Sequence, residues 1–330
     1  MNTATKKNIA SVSLDLDNKW SYLKTHGDAG WDQFPSYLDI VVPRFLEIFD
    51  ERQFKITVFV VGQDAAIESN WSPLRSIATA GHEIGNHSFH HEPWLHLYSR
   101  DQLVEEFERS EVAIREATGE TTRGFRGPGF SLSDDVLGVL TERGYEYDGT
   151  IFPTYLGPLA RAYYFLRSNM SKEERQKRKA LFGRLSDGLR PNRPFQWKSE
   201  GAKGLIEIPV TTMPILKLPI HTSYILYLAK FSRMAAKMYF WKAISLCRLF
   251  RLEPSLLLHP LDFLGKEDDA DLSFFPAMDL RVDYKLSIVN EVLGLMQKHY
   301  QLVPMREHAK LAGQRSLGER DVSMVRPAVS

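Results

Sequence analysis

Ile9-Ala-Ser-Val-Ser-Leu-Asp-Leu-Asp17 alternates its side chains, with Val12, Leu14 and Leu16 on one face and Ser11, Ser13, Asp15 and Asp17 on the other. A period of two marks a strand, so both aspartates share a face near its C-terminal end. Outward from it, residues 37–49 space Ile40, Val41, Phe45, Ile48 and Phe49 like a helix, and residues 54–61 form the β-branched, aromatic run of a buried strand. The rhythm continues with helix 71–80, strand 82–86, helix 100–118, strand 124–126, helix 134–143 and strand 145–148. Beyond Pro153 it breaks into a basic stretch to about Lys203. It resumes with strands 205–210 and 255–259, helix 283–298 and a last strand 301–304. Strand and helix in alternation imply parallel strands with helices outside them, an α/β fold.

At 330 residues, 43% hydrophobic and 12% aromatic, the chain can bury a full-sized core in one elaborated domain. Its formal net charge of +1 argues against a globally basic nucleic-acid binder, and nucleic acid is not an expected partner. The single cysteine, Cys247, excludes a disulfide-stapled scaffold and reads as a packed thiol. Residues 1–10 hold Lys6 and Lys7 without an apolar run, so no signal peptide is expected, and no apolar stretch is long enough to span a bilayer. Cytoplasmic residence, with peripheral contact at the inner membrane face, is the expectation. The polar tail 311–330 is expected to be flexible.

Asp15, Asp17, His87, Arg126, Asp148 and His259 all fall at C-terminal ends of expected strands, the face where α/β active sites gather. In His87-Ser-Phe-His-His91, imidazoles four residues apart lie on one face of a helical turn and reach a common metal. A histidine pair alone would as readily cap a helix and sit in solvent, and isolated aspartates often merely start a loop. Together they say more. Two carboxylates at one sheet edge need a cation or a shared proton, and one carboxylate with two imidazoles leaves coordination positions open for water and substrate.

Five ordered pieces resemble the polysaccharide deacetylases, carbohydrate esterase family four. They are Ser13-Leu-Asp15-Leu-Asp17, Gly81-His-Glu-Ile-Gly-Asn-His87-Ser-Phe-His-His91, Arg126-Gly-Pro128-Gly-Phe-Ser131, Tyr145-Glu-Tyr-Asp148 and Leu257-Leu-His259-Pro260. The resemblance runs from about Ile9 to Met305 with the middle stretch interrupting it. It implies a distorted (β/α) barrel over residues 1–310, with helical insertions at about 154–204 and 212–253. It makes Asp17, His87 and His91 the ligands of a divalent metal, zinc being favoured, and Asp15 the general base oriented by Arg126. The Gly129 N–H would face the developing oxyanion beside Pro128, His259 would protonate the leaving amine, and Leu257 would wall the acyl methyl. Asp148 would tune His259, although Gly149 follows it where a tryptophan or serine is often found. Leu16 between the aspartates looks like the subgroup holding some peptidoglycan deacetylases and related amidases.

The implied activity is removal of an N-acetyl or other N-acyl group from an amino sugar. Hydrolysis of a non-sugar amide or N-formyl group, and a non-catalytic carbohydrate-binding module, are the alternatives. Between Glu207 and Glu253 no acidic residue occurs, while Lys217, Lys230, Arg233, Lys237, Lys242, Arg248 and Arg251 interleave with large apolar side chains. Residues 225–252 thus read either as an interfacial amphipathic helix touching an anionic membrane, with a lipid-linked sugar as substrate, or as a helix packed on the barrel.

Overall fold

The computed structural model describes residues 8–157, 185–198 and 204–322. Among these residues ten strands form one sheet: β1 (Ile9–Leu16), β2 (Thr57–Val60), β3 (Glu83–Asn86), β4 (Gly124–Phe125), β5 (Tyr147–Asp148), β6 (Phe195–Lys198), β7 (Ile206–Glu207), β8 (Ser255–Leu258), β9 (Gln301–Val303) and β10 (Glu319–Asp321). Their order is β10-β6-β7-β5-β4-β3-β2-β1-β8, with β9 on the start of β1, and every pairing except β6 with β7 is parallel. The segment after β7 curls onward: Ile208 N–H donates to Asp148 O, Val210 N–H to Ile151 O, and Thr211 N–H to Ser255 O at 3.0 Å. That last bond joins the β7 end of the sheet to β8, bending it into the distorted barrel.

All eight residues of β1 are buried, because helices cover the outside while the neighbouring strands cover the inside. The helix Leu38–Glu51 turns Val41, Val42, Phe45, Ile48 and Phe49 inward at helical spacing, onto the cluster that holds Phe54 and Phe263. Removing a ring such as Phe49 would cost about 3–5 kcal/mol, since surrounding side chains fill such a void only partly. Ser99 opens the helix Arg100–Thr118 with a reciprocal cap: its hydroxyl accepts from Gln102 N–H, and Gln102 Oε1 accepts from Ser99 N–H.

Register carries the strand ends to one rim. Leu14 pairs with Leu258 and Leu16 with Val60, Val60 pairs with Asn86, Asn86 with Phe125, Phe125 with Asp148, and Asp148 with Glu207. The next residues therefore emerge together: Asp15 and Asp17 with His259, His87 and Arg126.

Three expectations need correction. Residues 87–91 form no helical turn: Ser88 (φ 63°) and His91 (φ 54°) are left-handed, which breaks helical continuation after β3. The insertion 154–204 is not purely helical, since β6 lies in it as an antiparallel partner of β7; most of its basic run falls outside the described residues. The tail 311–330 begins inside the helix Met305–Gly313 and continues to β10, which pairs with β6. β10 is the tripeptide Glu-Arg-Asp, wholly exposed, so no apolar alternation announces it. The insertion 212–253 does contain two helices, Thr222–Phe231 and Arg233–Leu249, packed beside β8 and the helix Val282–His299.

Candidate metal centre and active site

Asp17 leaves the end of β1 into a loop held from several sides. Asn18 Oδ1 accepts from Lys19 N–H at 2.8 Å and from Tyr37 N–H at 3.1 Å, and Tyr37 OH donates to the Asp17 carbonyl. Asn18 Nδ2 and Trp20 Nε1 both donate to Asp64 Oδ1, at 2.7 and 2.8 Å. Burial pushes the Asp64 carboxyl up to about 7, against these two donors.

The histidine loop is shaped from outside its own segment. Glu106, on the helix Arg100–Thr118, accepts from Phe89 N–H at 2.9 Å and His90 N–H at 2.7 Å, and lies 2.6 Å from His90 Nδ1. Ser88 Oγ accepts from His91 N–H at 3.2 Å, tying the loop across its own turn. Burial opposes the charge on Glu106, but His90 and the two N–H donors hold it below the usual value.

Asp17, His87 and His91 each present one ligand atom, all within 4.8 Å of one another. His87 Nδ1 sits 2.6 Å from the Arg126 carbonyl, which can only accept, so Nδ1 carries the proton and Nε2 offers a lone pair. His87 Nε2 lies 3.3 Å from Asp17 Oδ1, and His91 Nε2 lies 2.9 Å from the same oxygen. That oxygen is buried and accepts no hydrogen bond. A buried carboxylate against ring nitrogens, one with its lone pair forced toward it, is a place for a cation, and two imidazoles with one carboxylate suit a divalent metal. The residues present fit one.

Asp15 stands beside this group and belongs to a different contact. Arg126 Nη1 donates to Asp15 Oδ1 at 2.7 Å and to Ser13 Oγ at 2.8 Å, while Nε donates to Gly149 O at 2.8 Å. The guanidinium lies 4.5 Å over the Phe59 ring. That ring packs against Gly85, where a Cβ would come within 2.4 Å of it, so a side chain there would displace the support. Pro128 is buried, and Gly129 (φ 58°) occupies the left-handed region in the short turn Pro128–Phe130.

Asp148 is placed away from its expected partner. Thr150 Oγ1 donates to Asp148 Oδ1 at 2.5 Å, and the carboxyl faces Glu207, to which Ile151 N–H and Trp197 Nε1 donate at 2.9 and 3.0 Å. Burial and Asp148 push the Glu207 carboxyl well above its usual value. Among the described residues His259 instead contacts Ser223, Asp262 and His221. Leu257 is fully buried on the same side of β8 as His259.

Glu106, Glu207, Ser223, His221 and Asp262 are site neighbours that the sequence reading missed. Asp262, three residues past His259, carried the one local signal: the spacing at which a carboxylate bonds back to a strand-end N–H. Cys247 is buried as expected, its thiol pushed up to about 12 by burial.

Residues 28–147 match the sequence pattern of the family described as polysaccharide deacetylase; the match spans His87, His91 and Arg126 but not Asp15, Asp17 or His259. A peptidoglycan deacetylase of Helicobacter pylori is 25% identical over 150 residues, which are 44% of this chain and 50% of that protein. The uncharacterized protein YlxY of Bacillus subtilis is 28% identical over 100 residues, 30% of each. The chain thus spans half the length of the first relative and under a third of the second. Among solved structures, a Mycobacterium smegmatis protein assigned as a polysaccharide deacetylase superposes with TM-score 0.61 at 19% identity, over 100% of this chain and 98% of that one. One from Pseudomonas aeruginosa, similarly assigned, gives 0.56 at 17% over 94% and 92%. Both share its fold.

Proposed function

We propose that the chain, whose residues 28–147 match the polysaccharide deacetylase pattern, is a deacetylase of that family and hydrolyses the N-acyl group, in first place acetyl, of an amino sugar, using a divalent metal held by Asp17, His87 and His91. The observation that carries this reading is Asp17 Oδ1, buried, without a hydrogen bond and faced by two imidazole nitrogens. Zinc is the preferred ion for such a donor set. A divalent ion there supplies Lewis-acid polarisation and makes water a stronger acid.

The chain's own groups do the rest. Asp15, held by Arg126, takes the proton of the water that adds to the acyl carbon. The amide oxygen becomes negative, and the Gly129 N–H is assigned to it. As the carbon–nitrogen bond breaks, His259 delivers a proton to the amine, leaving a free carboxylate and an amino sugar. Pro128 and Leu257 are assigned to the wall around the acyl group. Asp148, buried against Glu207, is assigned to bracing the Arg126 loop through Thr150, whose hydroxyl also accepts from Gly127 N–H.

We further place the substrate on a lipid carrier. The support is the face carrying Phe231, Met234, Met238 and Trp241, each at least half exposed, among basic side chains.

The purified protein should bind one zinc per chain by elemental analysis, and a His87→Ala, His91→Ala double variant should lose it. Zinc-loaded protein should release acetate from at least one member of a panel of N-acetylated free, nucleotide-linked and lipid-linked amino sugars. Full zinc retention in the double variant would remove the ligand assignment; zinc binding with no acid released from any sugar, but release from simple amides or formamides, would replace the substrate class.

A further inference from the structure

His259 sits in a built hydrogen-bonded setting of its own. It ends β8 and opens the turn Pro260–Phe263, whose Asp262 N–H donates to the His259 carbonyl at 2.9 Å. Asp262 is almost wholly buried, and both its oxygens are engaged: Oδ2 accepts from His259 N–H at 2.9 Å, and Oδ1 accepts from the Ser223 hydroxyl at 2.8 Å. The same hydroxyl oxygen lies 3.2 Å from His259 Nδ1.

We propose that Asp262, acting through the Ser223 hydroxyl, is the positioning residue for His259, fixing the ring with Nδ1–H toward Ser223 and leaving Nε2 for proton delivery. A serine hydroxyl has one proton, and an ionised Asp262 can only accept, so that proton is committed to Oδ1. The Asp262 N–H beside the ring is spent on the His259 carbonyl at 2.9 Å, so what faces Nδ1 is the Ser223 lone pair, and Nδ1 must be the donor. The neutral ring is therefore the Nδ1–H tautomer, and Nε2 is the nitrogen that takes and releases the proton. Two different elements meet here, since Ser223 lies in the first turn of the helix Thr222–Phe231 and Asp262 in the turn after β8.

The remaining ionisable neighbours are consistent with this arrangement. His221 lies 5.7 Å from the His259 ring and packs on Tyr224; burial and His259 hold it well below its usual value, so it adds no positive charge. Burial raises the Asp262 carboxyl above its usual value, while His259, the His259 N–H, the Ser223 hydroxyl and Lys285, which donates to the Leu261 carbonyl at 2.5 Å, favour its charge.

The catalytic part of the inference rests on His259 as the acid of the proposed reaction, whereas the tautomer does not. The test compares zinc-loaded wild type with Ser223→Ala and Ser223→Thr, using imidazole ¹⁵N shifts of His259 across pH, with turnover of the sugar found active in the panel. In Ser223→Ala the Nδ1–H preference should be lost and kcat fall about 10-fold at little change in KM, less than the 100-fold to 10,000-fold of a fully removed acid. Ser223→Thr, which keeps the hydroxyl, should restore both. An unchanged His259 tautomer in a folded Ser223→Ala protein would overturn the relay. A changed tautomer with unchanged turnover would uphold the relay and refute His259 as the acid.

Discussion

Arg126 is fully buried, and its charge is met by Asp15, from a strand 111 positions earlier in the chain. A buried pair of this kind is costly to break, because the survivor keeps its charge away from water; losing either partner costs about 3–5 kcal/mol. Asp15 is thus tied to Arg126 and Ser13, whereas Asp17 is tied to the histidines. Alternation along β1 puts both side chains at one rim, yet they enter different contacts and should fail differently. Asp15→Asn keeps the shape and one acceptor oxygen, so it should retain zinc by elemental analysis while kcat falls about 100-fold to 10,000-fold. Near-normal turnover in the zinc-loaded variant would remove Asp15 from the role of base.

At the scale of elements, the loop 87–91 is held by a helix. Its left-handed residues leave the Phe89 and His90 amides without helical acceptors, and buried Glu106 supplies them. Glu106→Ala would strand the buried Phe89 N–H and the half-buried His90 N–H, a loss of about 1–3 kcal/mol in a urea melt. Calorimetric zinc titration should also show affinity weakened about 10-fold to 100-fold, as for other outer partners of metal ligands. Folded Glu106 titrates below 4.5, the ordinary glutamate value, so its stabilisation is complete above that pH and lost as pH falls through the lower folded value. The variant should therefore lose less stability than wild type on acidification through this range. Unaltered zinc affinity in Glu106→Ala would show that the loop keeps its shape without this brace.

At the scale of the whole molecule, the two helices after β7 are both packing elements and an outward face. Ile225, Leu226, Ala229, Ala236, Phe240 and Ile244 join the main apolar cluster, which answers the packing alternative. The face left outside carries Phe231, Met234, Met238 and Trp241. Lys230 is paired with Asp279, and Arg233 and Lys237 share Glu291, so three of the seven basic residues between Glu207 and Glu253 are engaged by two carboxylates, which cancel two of their charges. Lys242, Arg248 and Arg251 make no ion pair among the described residues, and each contributes about 1 kcal/mol near an anionic surface. No described helix is long and apolar enough to cross a membrane. Vesicles containing phosphatidylserine should co-sediment the protein at low salt, less so at high salt, and neutral vesicles should bind it weakly. Replacing Met234, Met238 and Trp241 with serine and Lys242 with glutamine should abolish the binding; equal, negligible binding to all vesicles would reduce the pair to packing helices and favour a soluble substrate.

The sequence by itself determined the strand-and-helix succession and the rim on which Asp15, Asp17, His87, Arg126 and His259 stand, because periods of two and 3.6 are written in neighbouring residues and parallel strands carry their ends to one side. Only the tertiary structure decided that His87 and His91 meet Asp17 from a left-handed loop, that Asp148 faces Glu207, and that His259 rests on Ser223 and Asp262. β6 and β10 likewise became visible only once paired. In each case the deciding partner comes from a distant segment, or is a polar residue with no apolar period to announce it. Local patterning specifies which face of an element is buried, and only the closed barrel specifies which buried polar groups satisfy one another.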